Sequence, residues 1–375
     1  MKAAFSKLWP IIVLVMFLGS VSFAASPSPA LLKAKKKEAE AKGYIFYPDH
    51  DEIMAKAKTE GKLRAIVNMR TPNIKASGAA FRKQYPFIDL QLEEITGTAA
   101  NQRFFLEVKS GMAKDWDVIH ISTDVRSELV PHLLKVDIQG MAEQKVLQIP
   151  PPMIDPTNHS VVAFSSRFQI TAYNKNLVPA NQLPKVWEDL LRPEFKGKKF
   201  AVDIRPTEVA ALVPAWGLEK TLDFARKVAA QQPIWVRGSI GTMTAMLAGE
   251  VPMMVGPNFH NMKEIQAKDR VGVLQYVILE PVPLRFGNQQ AILATSQHPY
   301  AALLWLEWMA SPEAQKITDE REPLASSVYV RGGTVEQELR GKKLSVVGWE
   351  FERHMEEWQT QVVGAYGFPK AESRK

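Results

Sequence analysis

Three places in the chain set an arginine beside small hydroxyl or amide residues: Arg70-Thr71-Pro72-Asn73, Arg205-Pro206-Thr207 and Arg237-Gly238-Ser239. A guanidinium offers paired donors to the oxygens of a carboxylate or phosphate. Serine or threonine at the start of a helix adds hydroxyl and backbone donors. Thr96-Gly97-Thr98 and Ser122-Thr123 supply hydroxyls without an arginine. Read singly, each corner is a helix cap, and each arginine a surface charge. Read together, they point to an anionic ligand. A further corner lies in "MMVGPNFHNM", residues 253–262. An apolar run ends there at Gly256-Pro257, and a polar, helix-like stretch opens with Asn258, Phe259 and His260. His260 is open to three roles: metal ligand, ligand-holding side chain, or the first turn of a helix.

Catalytic motifs are missing. The chain has no GxxxxGKS or GxGxxG loop for phosphates, no GxSxG nucleophile elbow and no HExxH. It has no cysteine, and its seven histidines are scattered without a metal-ligand spacing. "HDE" at 50–52 could be drawn as a metal cluster, but helix capping accounts for the same residues. His120, within a strand, reads as structural. No catalytic residue, no metal and no cofactor is expected.

The corners follow strands. "LRAIVNM" leads to Arg70, "FIDLQLEEI" to Thr96, "DVIHIS" to Ser122, "KFAVDI" to Arg205 and "IWV" to Arg237. "VPMMVG" and "VLQYVIL" read as strands as well. Helical spacing marks "GTAANQRFFLEVKSGM", "LEKTLDFARKVAAQ", "IGTMTAMLAGE" and "AALLWLEWMA". "YPDHDEIMAKAKTEG" reads as a capped helix, with Asp49 as cap, Glu52 three residues on and Gly61 ending it. Ser311-Pro312-Glu313 is a second strong start signal. "VVGWEFERHMEEWQ" reads as a helix packing through its tryptophans. Strands alternating with helices predict an α/β fold with mainly parallel sheets. Such sheets bind ligands at the carboxyl ends of their strands, where these corners lie.

The ends fix the expected compartment. Lys2 and Lys7 precede and flank an apolar run, Leu8 to Leu18, and Ser22-Phe23-Ala24 suits signal-peptidase cleavage near Ala24. About 11 apolar residues are too few to span a bilayer, which takes roughly 20. A periplasmic protein follows. Residues 25–43 read as a flexible leader, in which "SPSP" breaks structure and "LLKAKKKEAEAK" is a polar helix with little to bury, and "PKAESRK" reads as a frayed end. The chain has 47 basic and 40 acidic residues; without Lys2 and Lys7 the excess is +5. That is mild, much of it lies in "KAKKK", and nucleic-acid binding is not expected. With 46% hydrophobic residues the chain can build ordinary cores, and its length suggests two domains.

Several stretches together resemble the periplasmic solute-binding proteins of ABC importers, in the branch that includes the ferric-iron binders. They are "DEIMAKAKTEGKLRAIVNM", "FRKQYPFIDLQLEEITGT", "AYNKNLVPANQLPKVWEDLLRPEFKGK", "LAGEVPMMVG" and "HPYAALLWLEWMASPEAQKI". The third is the most specific, and the resemblance covers about residues 48–365. It implies a type II-like fold of two α/β lobes, with the ligand in the cleft between them. Lobe one would take in 44–165 plus 285–375, and lobe two 166–284. The crossovers would lie near "AFSSRFQITAYN", which holds Arg167, and "LEPVPLRFGN". It also implies hinge closure on the ligand and docking of a monomer on an inner-membrane permease.

The resemblance places the tyrosine pair of the ferric-iron relatives on Phe259 and His260. Phenylalanine cannot coordinate iron, and histidine lacks the hard anionic oxygen that ferric iron prefers. The expected ligand is therefore a small organic anion, with Phe259 as an apolar wall and His260 as a hydrogen-bonding group beside Asn258. Ferric iron or an iron chelate is the alternative, with Tyr44, Tyr47 and Tyr173 as the tyrosines to inspect. A ligand sensor, or an enzyme on the same fold, is the alternative from another class.

Overall fold

Residues 27–122, 125–322 and 325–367 are described by the computed structural model. The signal-peptide reading (1–24), the frayed end and Thr123 fall outside these residues. Among the described residues ten strands form: β1 (Lys62–Val67), β2 (Asp89–Glu94), β3 (Val118–Ile121), β4 (Val162–Asn174), β5 (Ala201–Asp203), β6 (Ile234–Val236), β7 (Met253–Asn258), β8 (Leu274–Val277), β9 (Val282–Ile292) and β10 (Leu344–Val347).

Their order is β2-β1-β3-β9-β4-β7-β5-β6, with β10 beside β9 and β8 beside β4. β1 pairs in parallel with β2 and β3, β5 with β6 and β7, and β10 with β9. The remaining pairs, β3–β9, β4–β9, β4–β7 and β4–β8, are antiparallel, so the sheet is more mixed than the strand–helix alternation suggested. The cause is the two long strands. β4 pairs β9 through 162–168 and β7 and β8 through 169–174, so one strand serves two sheets. β4 and β9 are the segments expected to cross between lobes.

Each half of the sheet is covered on both faces. Ala65 and Val67 of β1 pack in one cluster with Phe81, Trp305 and Trp308, whereas Ile66 between them packs with Phe104 and Ile119. In the second half Val202 and Val255 pack with Trp187 and Phe224, whereas Ala201 and Met254 pack with Phe168 and Met243. A strand buried on both faces has apolar residues at consecutive positions, which is why "AIV" of β1 and "VPMMVG" read as unbroken apolar runs.

Local signals account for the helices. Helix His50–Glu60 starts at Asp49, whose side chain accepts from the Asp51 N–H at 2.9 Å, and ends at Gly61 with φ +63°. Only glycine adopts that left-handed turn without cost. Glu52 reaches Lys56 at 2.8 Å, so the expected reciprocal capping box is not made. Ser311 caps the helix Pro312–Arg321 through the Ala314 N–H.

Two segments depart from the reading of the sequence. The leader helix, Pro29–Ala41, is capped by Ser28 and does bury a side, with Ala39 buried and Leu32 packed against the first core. "VVGWEFERHMEEWQ" is not one helix: Val346 and Val347 end β10, and the helix is Met355–Ala365. Its Trp358, Val362 and Tyr366 pack in the cluster of Trp187 and Phe224, on the second half of the sheet. The division expected from the resemblance assigned these residues to lobe one.

Candidate ligand-binding cleft

The site is built on the two long strands. In the antiparallel register of β4 and β9, Arg167 stands opposite Arg285. Directly opposed residues share one face of a sheet, so two positive charges face the same way. The next pair on that face is Ser165 opposite Gly287, where a Cβ on the glycine would lie 2.7 Å from Ser165 Oγ and 3.6 Å from Arg167 Nε. The bare glycine leaves space beside the guanidinium. Among the described residues neither arginine forms an ion pair, and Arg285 Nε is buried without a hydrogen-bond partner. Burial, with the repulsion of Arg167, pushes the Arg285 pKa down to about 10. Arg167 reaches solvent through the cleft, yet the protein mass around it lowers its pKa too, against a weaker pull from Glu322.

Three cavities meet at these arginines. One of about 280 Å³ is lined by both, with Asn68, Ser122 and Gln289. A second, about 350 Å³, shares Arg285 and runs along Gln169, Glu208 and Asn258. A third, about 150 Å³, shares Arg167 and Asn68 and reaches Arg70, Thr96, His260 and Glu322. His260 is half-buried, and its pKa falls to about 4, from burial first and then from the charges of Arg167, Arg70 and Arg285. It is a neutral imidazole near pH 7, able to donate from one nitrogen and accept at the other.

The structure thus brings Arg70, Thr96, Arg167 and His260 to one cavity, Ser122 to a second, and Arg205, Thr207, Ser239 and Asn258 to a third. Arg205 arrives there engaged by Asp203, at 3.1 and 3.3 Å. Thr207 accepts from Gln359 at 2.7 Å, Ser239 from Asn261 at 3.1 Å, and Asn258 from Gln169 at 3.2 Å.

Other expected site residues lie elsewhere. Phe259 is 1% exposed and stacks on Phe168 at 4.6 Å, so it is core and not a cleft wall. The turn after Asn258 sends Phe259 inward and leaves His260 facing the cavity. Asn73 is fully buried, donates to Glu322 at 3.1 Å and accepts from Ser77 at 2.9 Å. Thr71 is tied to Glu94 at 2.6 Å. Gly97, with φ +83°, starts the helix Thr98–Lys109, and Gly97 and Thr98 line none of these cavities. Arg237 is exposed and lines none of them either.

Reading strand ends overlooked Arg285, Asn68, Gln289, Glu208 and Glu322. The signal for Arg285 was a lone charge inside the apolar stretch "VPLRFGN". His120 does pack structurally, its Nδ1 3.0 Å from the Gln289 carbonyl, but it also lines the 280 Å³ cavity. Tyr44 stacks on His159 and Tyr47 lies tilted against Tyr300, both packed on the first core, and Tyr173 packs on the second. Among the described residues no group of three or more histidine, aspartate or glutamate side chains is placed to hold a metal.

Two α/β halves joined by paired crossover strands, with polar cavities where they join, define a two-lobed ligand-binding fold. The sequence pattern of the bacterial extracellular solute-binding proteins matches residues 134–355, and the chain belongs to that family. Solved structures share its fold. The Trichodesmium protein IdiA (FutA), in complex with iron and citrate ligands, is 17% identical with a TM-score of 0.64, covering 82% of this chain and 100% of its own. The Bordetella ferric binding protein is 17% identical with a TM-score of 0.65, covering 81% and 99%. The Streptococcus pneumoniae spermidine/putrescine ABC transporter substrate-binding protein PotD is 17% identical with a TM-score of 0.56, covering 81% and 99%. No curated protein matches the chain. No described helix is long and apolar enough to cross a membrane.

Proposed function

We propose that this protein captures a small organic anion in the periplasm and delivers it to an ABC permease by closing its two lobes. The observation that carries the reading is the Arg167–Arg285 pair on the crossover strands, with no ion pair formed by either among the described residues and flanked by Arg70 and the neutral His260. Opposed like charges are unfavourable, and an anion between them removes the repulsion and supplies charge-assisted hydrogen bonds. Arg70 and Thr96 come from the first half of the sheet and His260 from the second. A ligand touching all three favours the closed arrangement by its differential affinity. The leader signal supports export, and the family supports an importer role without covalent chemistry.

The packing of Trp358, Val362 and Tyr366 supports a revised lobe division, in which the C-terminal helix belongs to lobe two. A chelate such as the iron and citrate of the Trichodesmium relative is the second reading, because its carboxylates would suit the same arginines. The test is to purify the protein from its native periplasm without chelators, unfold it, and assay the released material for metals and small molecules together. A stoichiometric organic acid without metal is expected. Stoichiometric iron overturns the simple-anion reading.

A further inference from the structure

The 350 Å³ cavity differs from its neighbours in what it leaves unsatisfied. Four carboxylates line the three cavities. Asp203 is held by Arg205 and by the Gly238 N–H at 2.8 Å. Glu322 is held by the Arg70 N–H at 2.6 Å and by Asn73, and Glu352 by Gln289 at 2.8 and 3.0 Å. Glu208 keeps a buried oxygen, Oε1, with no donor. Gln169, in the same cavity, keeps its buried Oε1 without a donor as well. Each residue is 2% exposed. Buried acceptors of this kind are uncommon and call for an explanation.

The backbone is shaped to hold Glu208 there. Gly256 of β7 has φ +81°, and a Cβ on it would stand 2.1 Å from Glu208 Cγ and 2.6 Å from Cδ. The glutamate lies flat in the notch that this glycine leaves. Burial raises its pKa well above the usual carboxylate range, and Asp203 adds to the rise. Arg285 and Arg205 oppose it, and the buried Tyr366 hydroxyl is close enough to be affected by its charge.

We propose that this cavity receives an ammonium group, so that the ligand is an amino acid-like molecule, its anionic group on Arg167 and Arg285 and its primary amine against Glu208 and Gln169. The assignment rests on the anion reading above and names the other end of the same ligand. When the amine docks, the ion pair Glu208 carboxylate–ammonium forms, and any proton on the carboxyl passes to solvent. The two orphan acceptors then have donors. One ligand spans two cavities that share Arg285.

The test is calorimetric titration of the full-length mature protein, freed of ligand by unfolding and refolding. The probes are matched series of increasing chain length: fatty acids, ω-amino acids such as 4-aminobutyrate, dicarboxylates such as succinate, and diamines such as putrescine. Each is run in buffers of different ionisation enthalpy, to count protons. An ω-amino acid should bind at least about tenfold more tightly than the matched fatty acid and dicarboxylate, the scale of one hydrogen bond to a charged group. It should release up to about one proton. Glu208→Gln should remove both the preference and the proton release. Gln169→Glu, which adds a second carboxylate, should strengthen the preference and covers the case in which Glu208→Gln does not fold. A dicarboxylate that binds more tightly than the amino acid, or a fatty acid that binds equally, overturns the ammonium subsite and leaves the anion reading intact. Binding of diamines alone overturns both. Binding by no member of the series overturns the amino-acid assignment.

Discussion

Arg167 and Arg285 face each other in the register of the two strands that join the halves of the molecule, and among the described residues neither has an ion-pair partner. A like-charged pair on adjacent strands costs stability until something negative sits between its members. Arg167→Gln should therefore raise the stability of the ligand-free protein by about 0.2–1 kcal/mol, the scale of a cross-strand pair. The same change should weaken binding of the proposed anion about tenfold or more. Urea unfolding with and without the anion reads both effects. Lower ligand-free stability together with unchanged affinity would refute the assignment.

Two histidines set an acid limit. His120 and His260 each have a pKa pushed down to about 4, in both cases chiefly by burial. In the unfolded chain a histidine titrates near about 6.5. Between those values the unfolded state binds more protons than the folded one. Their contribution to stability is thus complete above about pH 6.5 and is lost as pH falls toward about 4. Denaturation midpoints measured across that window should decline, and a His120→Gln, His260→Gln double variant should decline less steeply. Equal slopes for the two proteins would show that neither imidazole is held neutral.

Gly256 and Glu208 should behave as one unit. Gly256→Ala places a methyl against the Glu208 side chain at a positive φ. It should cost at least about 1–3 kcal/mol, the usual penalty for overpacking. Adding Glu208→Ala removes the Cγ and Cδ contacts but leaves the Glu208 Cβ 2.5 Å from the new methyl, and the backbone strain remains, so the double variant should recover only part of the loss. Chemical denaturation of the two single variants and the double variant measures the coupling. Strictly additive effects would mean that the glycine is needed only for its turn.

Much of the fold was legible because its signals are local. The Asp49 and Ser311 caps, the left-handed Gly61 and the apolar runs of β1 and β7 each depend on neighbours in sequence. The corners were legible for the same reason, and Arg70, Thr96, Ser122 and His260 do reach the cavities. Phe259 could not be placed, because whether it or His260 turns inward depends on the facing Phe168, far away in the chain. Arg205 looked free until folding set Asp203 beside it in a usable geometry.

The sequence by itself determined the class of architecture, the main caps and apolar strands, and the absence of a nucleophilic cysteine. Periodicity, capping and composition are written in consecutive residues. Tertiary structure alone decided that Arg167 meets Arg285, that Glu208 lies in the notch of Gly256, and that the last helix packs on the second half of the sheet. Each of these joins residues distant in the chain, and strand register and core packing, which local propensity does not encode, determine which of them touch.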